Sequence, residues 1–154
     1  MRKPVFSYGT DRKTYALPLL EITIAGKKLA NGNTGQTKHW SSSHKERKEW
    51  MRAIRDADVE DADGWVAPPC EYVDQYGTLD IPVGIEIHRC LGPRERHWDA
   101  DSVLRGNAKQ LIDSLVELQF IHDDSVKYLP WAIGTQSEAR HSVSHVVVRF
   151  WSTV

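Results

Sequence analysis

The sequence predicts an α+β (mixed α/β) fold, a single small sheet with helices packed on it. Three observations carry this expectation. Leu19–Ile24 and Leu79–Cys90 alternate apolar and polar residues with period two and are rich in β-branched side chains. Ser102–Gln119 places Leu104, Ala108, Leu111, Leu115 and Leu118 on one helical stripe. Strand and helix patterns follow one another along the chain instead of segregating, which favours one sheet covered by helices. The 154 residues suffice for one domain with its own core. A content of 40% hydrophobic and 27% charged residues belongs to a folded globular chain. Lys and Arg number 20 against 21 Asp and Glu, so the chain is no polycation, although a basic face needs only segregated charge.

Element by element, residues 1–18 mix Gly, Pro, Ser and charges without a period and read as an N-terminal arm or extra strand. Residues 19–154 form the domain proper. After the strand at Leu19–Ile24, Ala25–Ser43 carries repeated Gly, Asn and Ser and reads as a long loop. His44–Ala57 reads as a helix with Trp50, Met51 and Ile54 inward. Ser43 is its expected N-cap, with Glu46 completing a capping box. The acidic run Asp56–Asp63, then Gly64, Pro68 and Pro69, reads as a linker. Leu79–Cys90 is a half-buried strand, and Leu91–Trp98 a Gly-Pro loop loaded with Arg94, Arg96 and His97. After the helix at Ser102–Gln119, Ser125–Ile133 and Val143–Trp151 read as closing strands, with Trp131 and Trp151 as core residues. No apolar run approaches the roughly 20 residues that cross a bilayer. No signal peptide is visible and Cys70 and Cys90 form no CxxC pair. The expected setting is therefore a reducing cytoplasm with free thiols, a disulfide between the two being the alternative.

The chemistry concentrates in Trp98-Asp99-Ala100-Asp101, which runs into a helix, and in Asp123-Asp124 beyond its far end. Carboxylate oxygens are natural Mg²⁺ ligands, and Mg²⁺ usually takes one or two of them beside water or phosphate oxygens. The helix between the two pairs separates them by about 1.5 Å per residue, so the pattern alone does not unite them. Asp101, Arg105, Lys109 and Asp113 follow at four-residue steps. A cation in that row could stabilise charge on a reacting phosphate. The ordinary alternative is a row of surface ion pairs worth a few tenths of a kcal/mol each.

These segments together resemble the RusA family of Holliday junction resolvases, endodeoxyribonucleases common in prophages and bacteriophages. The family pattern is a strand, a basic loop, and Asp-x-Asp-Asn-Leu-x-Lys opening a helix. An Asp follows four residues after the Lys, and an Asp-Asp pair about one helix length later precedes a strand. Here the matching residues are Ile81–Ile87, Arg94 and Arg96, Asp99-Ala100-Asp101, Lys109 through Asp113, and Ile121-His122-Asp123-Asp124. The match spans residues 79–133. Ser102 stands where the family has Asn. About one extra helical turn, containing Gly106 and Asn107, separates Asp101 from Lys109. Lys109 matches the family's catalytic Lys by its distance to Asp113, while Arg105 matches it by its distance to Asp101.

The resemblance implies a RusA-like fold that dimerises, with Asp124 returning to the Asp99 and Asp101 site. Asp99, Asp101 and Asp124, supported by Asp123, would hold one or two Mg²⁺ ions, with Mn²⁺ as substitute, and Lys109 would stabilise the transition state. A homodimer would place two such sites on opposed strands of a four-way junction. Arg94, Arg96, His97, Trp98 and Arg105 are the DNA-contact candidates nearest the acidic pair, and Lys45, Lys48 and Arg52 those on the first helix. On that helix Glu46 and Glu49 permit ordinary pairing instead. Trp98 and Trp40 are candidates for stacking on a base. A branched-DNA binder with weak or lost cleavage, and an unrelated α+β interaction module, are the competing readings. His141 and His145 would suit one metal ion only on a helix. In a strand they stand about 13 Å apart, so zinc is not expected there. Gly32–Gly35 is followed by no Gly-Lys-Ser/Thr, so a P-loop is unsupported.

Overall fold

The structure, a computed structural model, describes all residues except 1–5, 9–13, 32–39, 65, 100 and 154; the side chains of 6–8, 14–16, 40–42, 66 and 70 also lie outside the description. It has the expected α+β architecture. The strands are β1 (Phe6–Tyr8), β2 (Thr14–Ala16), β3 (Leu20–Ile24), β4 (Asp58–Asp61), β5 (Val66–Ala67), β6 (Val83–Cys90), β7 (Ala132–Gln136) and β8 (His145–Ser152). The helices are α1 (Trp40–Arg55), α2 (Pro69–Tyr76), α3 (Ser102–Arg105) and α4 (Ala108–Glu117). Among the described residues six strands form one mixed sheet in the order β5-β4-β3-β8-β6-β7, and β1 and β2 form a separate two-stranded sheet. All neighbours are antiparallel except β6 and β7, whose parallel pairing needs the crossover that α3 and α4 supply.

Period two decides the faces. Leu20, Ile22 and Ile24 of β3, Val83, Ile85 and Ile87 of β6, and Val146, Val148 and Phe150 of β8 form one face of the sheet. They share a buried core with Trp50 and Ile54 of α1 and with Leu111 and Leu115 of α4. The opposite parity carries a polar network. Arg149 Nε donates to Glu21 at 2.8 Å, Trp151 Nε1 donates to Glu86 at 3.1 Å, and Thr135 Oγ1 donates to Glu86 at 2.6 Å. Trp151 therefore belongs to this polar face. Trp131 precedes β7 and lies against Gly84, where an added Cβ would come within 1.9 Å of the indole. Neither tryptophan is the core residue expected.

Four further expectations are corrected. The acidic run at 56–63 is no linker: β4 alternates exposed and buried positions, and Val59 enters the core against β3. The two prolines do not mark a linker either. Pro69 sits in the first turn of α2, where its missing N–H is unneeded and its fixed φ suits the helix. Helix α1 begins at Trp40, so Ser43 lies inside it and no Ser43–Glu46 capping box forms. The strand expected over 125–133 is mostly a turn. Ser125 C=O accepts from the N–H groups of Tyr128 and Leu129, Pro130 has no N–H to offer, and β7 starts at Ala132.

The helix expected over 102–119 is broken at Gly106-Asn107. The reason is the segment at residues 28–30, which docks into the break. A Cβ on Gly106 would lie 1.9 Å from the Ala30 carbonyl oxygen. Asn107 Oδ1 accepts from Ala30 N–H at 2.8 Å, and its Nδ2 donates to Lys28 C=O at 3.2 Å and to Glu46. One backbone-mimicking amide thus ties the start of α4 to the chain that leads into α1.

Candidate functional site

The break sets the geometry of the charged row. Asp101 and Arg105 stay together, with Arg105 Nη1 donating to Asp101 Oδ2 at 3.0 Å on an exposed surface. Lys109 begins a new row in the first turn of α4. Its ammonium pairs with Asp113 at 2.9 Å and with Asp124. The return of the chain makes this second contact. After α4 the backbone reverses through Gln119 at φ 66°, and the segment passes beside Leu79, with Leu79 N–H donating to Phe120 C=O at 2.9 Å. A lone parallel bridge between Leu79 and Ile121 fixes the register. Asp123 and Asp124 are thereby carried back to the N-terminal turn of α4. Asp123 Oδ1 accepts the Asp124 N–H at 2.8 Å, a local bond that ties the two residues together.

Charge and hydrogen bonding agree at this point. Asp124, then Asp113, hold the Lys109 pKa above its ordinary value, and Lys109 in turn holds the Asp124 carboxyl below the usual carboxylate range. Lys109 is protonated and Asp124 ionised at neutral pH. Lys109 is exposed and Asp124 half-buried, so the ammonium is open to an incoming phosphate.

Asp99 and Asp101 lie on the other side of the break. Asp99 is exposed, and its C=O accepts from Ser102 N–H at 2.9 Å as α3 begins. Among the described residues no three His, Cys, Asp or Glu side chains converge as a metal-holding group. The structure therefore does not bring Asp99 and Asp101 into one group with Asp124. It brings together Asp113 and Asp124, which converge on one positive charge, the Lys109 ammonium. Hard oxygen donors in that number are what Mg²⁺ ordinarily takes from a protein.

The loop before Asp99 is held from beneath by two residues the sequence reading missed. Arg89, only 3% exposed, follows Val83, Ile85 and Ile87 in the inward parity of β6. It donates to Arg96 C=O at 2.9 Å, to Gln136 Oε1 at 2.9 Å and to Glu95 Oε2 at 2.7 Å. Its guanidinium lies 3.7 Å from the Trp98 ring centroid. Gln136 clasps the Trp98 backbone, accepting its N–H at 2.8 Å and donating to its C=O at 2.9 Å. The inward parity of position 89 was a usable signal for Arg89; Gln136 carried none. Trp98 is thus a half-buried packing residue on Arg89, and not the free stacking ring expected. His97 Nε2 bonds to Ser137 C=O at 2.8 Å, which gives it a structural partner in place of a phosphate. Arg94 and Arg96 remain exposed on the loop.

Of the first-helix candidates, Lys45, Lys48 and Arg52 are exposed on α1. The Trp40 side chain lies outside the described residues. Cys90 is free and buried, and burial pushes its thiol pKa up; the side chain of Cys70 lies outside the described residues. The separation expected for His141 and His145 fails. β8 begins only at His145, and the turn before it brings the two rings to 4.9 Å between centroids.

No protein-family model matches this chain, and no curated protein matches it either.

Proposed function

We propose that the protein is a Mg²⁺-dependent, structure-specific DNA endonuclease of RusA type that resolves four-way junctions by paired nicks as a homodimer. The observation that carries the reading is the return of Asp124 to Lys109. The two are fifteen residues apart in sequence and the helix pattern separates them, yet they are in direct contact, with Asp113 completing the group. The family pattern likewise has a Lys, an Asp four residues on and a later Asp-Asp pair, although the resemblance groups Asp124 with Asp99 and Asp101. The contact also favours Lys109 over Arg105 as the reacting-site cation, since Lys109 is the one that meets Asp124, whereas Arg105 pairs with Asp101.

Lys109 would contact a non-bridging phosphate oxygen and stabilise the charge that develops there during cleavage. Asp113 and Asp124 keep it charged. When bound, Mg²⁺ would supply Lewis acidity and an acidified water, and Asp113 and Asp124 are the two carboxylates that would hold it. Arg94, Arg96 and Arg105 would meet the flanking phosphates. Incision of a synthetic four-way junction with and without Mg²⁺ tests this. The expected result is Mg²⁺-dependent nicking by the parent protein and at least a hundredfold less by Lys109→Met.

A second reading, a branched-DNA-binding protein of the same fold with weak or lost cleavage, is favoured by one observation. Asp101 is neutralised by Arg105 and stands apart from Asp124. A junction that is bound but never cut with Mg²⁺ or Mn²⁺ would select it.

A further inference from the structure

Helices α1 and α4 pack against each other and leave a shallow trough along their outer side. Two adjoining hollows compose it. One, of ≈ 270 Å³, runs under Lys48, Arg52 and Arg55; the other, of ≈ 240 Å³, reaches Gln110 and Asp113. They share His44 and Arg47, so the trough is continuous from the C-terminal end of α1 to Asp113, the partner of Lys109.

The charge of its α1 wall is decided by where the acids of that helix go. Glu46 and Glu49 both turn to Lys27, at 2.9 and 2.8 Å, on the flank away from the trough. Lys27 holds the Glu49 carboxyl below its ordinary range. Glu117, at the end of α4, meets Arg47 at 3.2 Å. Among the described residues no carboxylate forms an ion pair with Lys48, Arg52 or Arg55. Three exposed cations at positions 48, 52 and 55 therefore line one flank of the helix over about 10 Å. Among the described residues Met51 is the only apolar side chain lining either hollow, which favours a phosphate chain over a lipid surface.

We propose that this trough is the track of a nucleic-acid phosphate backbone, held by Lys48, Arg52 and Arg55 and led past His44 and Gln110 toward Lys109. Only the direction of the track rests on the nuclease reading. The phosphate contacts stand without it.

The test is binding of a labelled DNA duplex and of a four-way junction, measured between about 50 and 200 mM salt. The parent protein is compared with Lys48→Gln, Arg52→Gln and Arg55→Gln, singly and combined. Each single variant should lower the slope of log affinity against log salt by about one, and the triple variant by about three. Melting temperature monitors folding, and the single variants keep the question answerable if the triple variant unfolds. Unchanged slopes in folded single variants would overturn the track, as would binding of anionic phosphatidylserine vesicles in preference to DNA. DNA binding that follows these slopes without any incision would support the track and defeat the nuclease reading. Incision by the triple variant with unchanged KM would defeat the track alone.

Discussion

Helices α1 and α4 each place a lysine four residues before a carboxylate, Lys45 and Glu49 on one and Lys109 and Asp113 on the other, yet their charges end in opposite arrangements. On α4 one exposed cation is shared by two acids: Lys109 lies between Asp113 and Asp124. On α1 the acids are consumed: Glu46 and Glu49 lie on Lys27, and the outer cations face solvent. Neither outcome is decided within the helix. In each case a segment distant in sequence brings the deciding charge, Asp124 from the loop after α4 and Lys27 from the segment after β3. An isolated i,i+4 pair is worth only a few tenths of a kcal/mol, so a fixed charge delivered by the fold readily outbids it.

The sharpest way to break the comparison is at the joint that separates the two regions. Gly106→Val would drive a side chain into the Ala30 carbonyl and expel the 28–30 segment from the helix break. The expected loss is about 3 kcal/mol or more, read by urea unfolding, because backbone cannot yield as a flexible side chain does.

A smaller effect should follow Lys27→Met. It strands two carboxylates, one of them 16% exposed beside Asn107. Stability should fall by about 1–2 kcal/mol. DNA affinity should fall with it, since Glu46 and Glu49 are then free to neutralise the α1 cations. A melting curve with a salt titration of DNA binding reads both; lost stability with unchanged DNA affinity would show that Lys27 does not organise the basic face.

The smallest effect sharpens the α4 side. The Asp124 pKa is lowered in the folded state, so its contribution is present above about pH 3.9 and disappears as pH falls through the folded value. The Lys109 pKa is raised, so its contribution is present below about pH 10.4 and is lost as pH rises through the folded value. Solvent screening at this exposed pair limits the effect to a few tenths of a kcal/mol. Unfolding of Asp124→Asn should differ from the parent by that amount between these limits and converge with it at acid pH.

The sequence exposed those parts of the fold where one physical preference dominated. β3, β6 and β8 were legible because alternate residues must be apolar when one sheet face is buried, and α4 because its leucines keep one stripe. β4 was not legible, since its register against β3 rather than its composition makes an acidic run into a strand. Residues 106–107 invite a break by composition, but the segment that fills it lies far off in sequence. The acidic site divides in the same way. Asp113 four residues from Lys109 was readable as a local pair. The resemblance implied a return of Asp124 to Asp99 and Asp101; its approach to Lys109 instead was not legible, because a reversal at Gln119 and one bridge at Leu79 produce it. Arg89 and Gln136 escaped notice because they shape the Asp99 loop from below through backbone groups.

The most direct test of the proposed function is the four-way-junction incision assay on Asp124→Asn beside the parent protein, with junction binding measured in parallel. The account predicts paired Mg²⁺-dependent nicks by the parent, and by the variant none, together with retained junction binding and a folded state stable to within a few tenths of a kcal/mol. A parent protein that binds the junction and leaves it intact with both Mg²⁺ and Mn²⁺, or a variant that cuts as well as the parent, would contradict it.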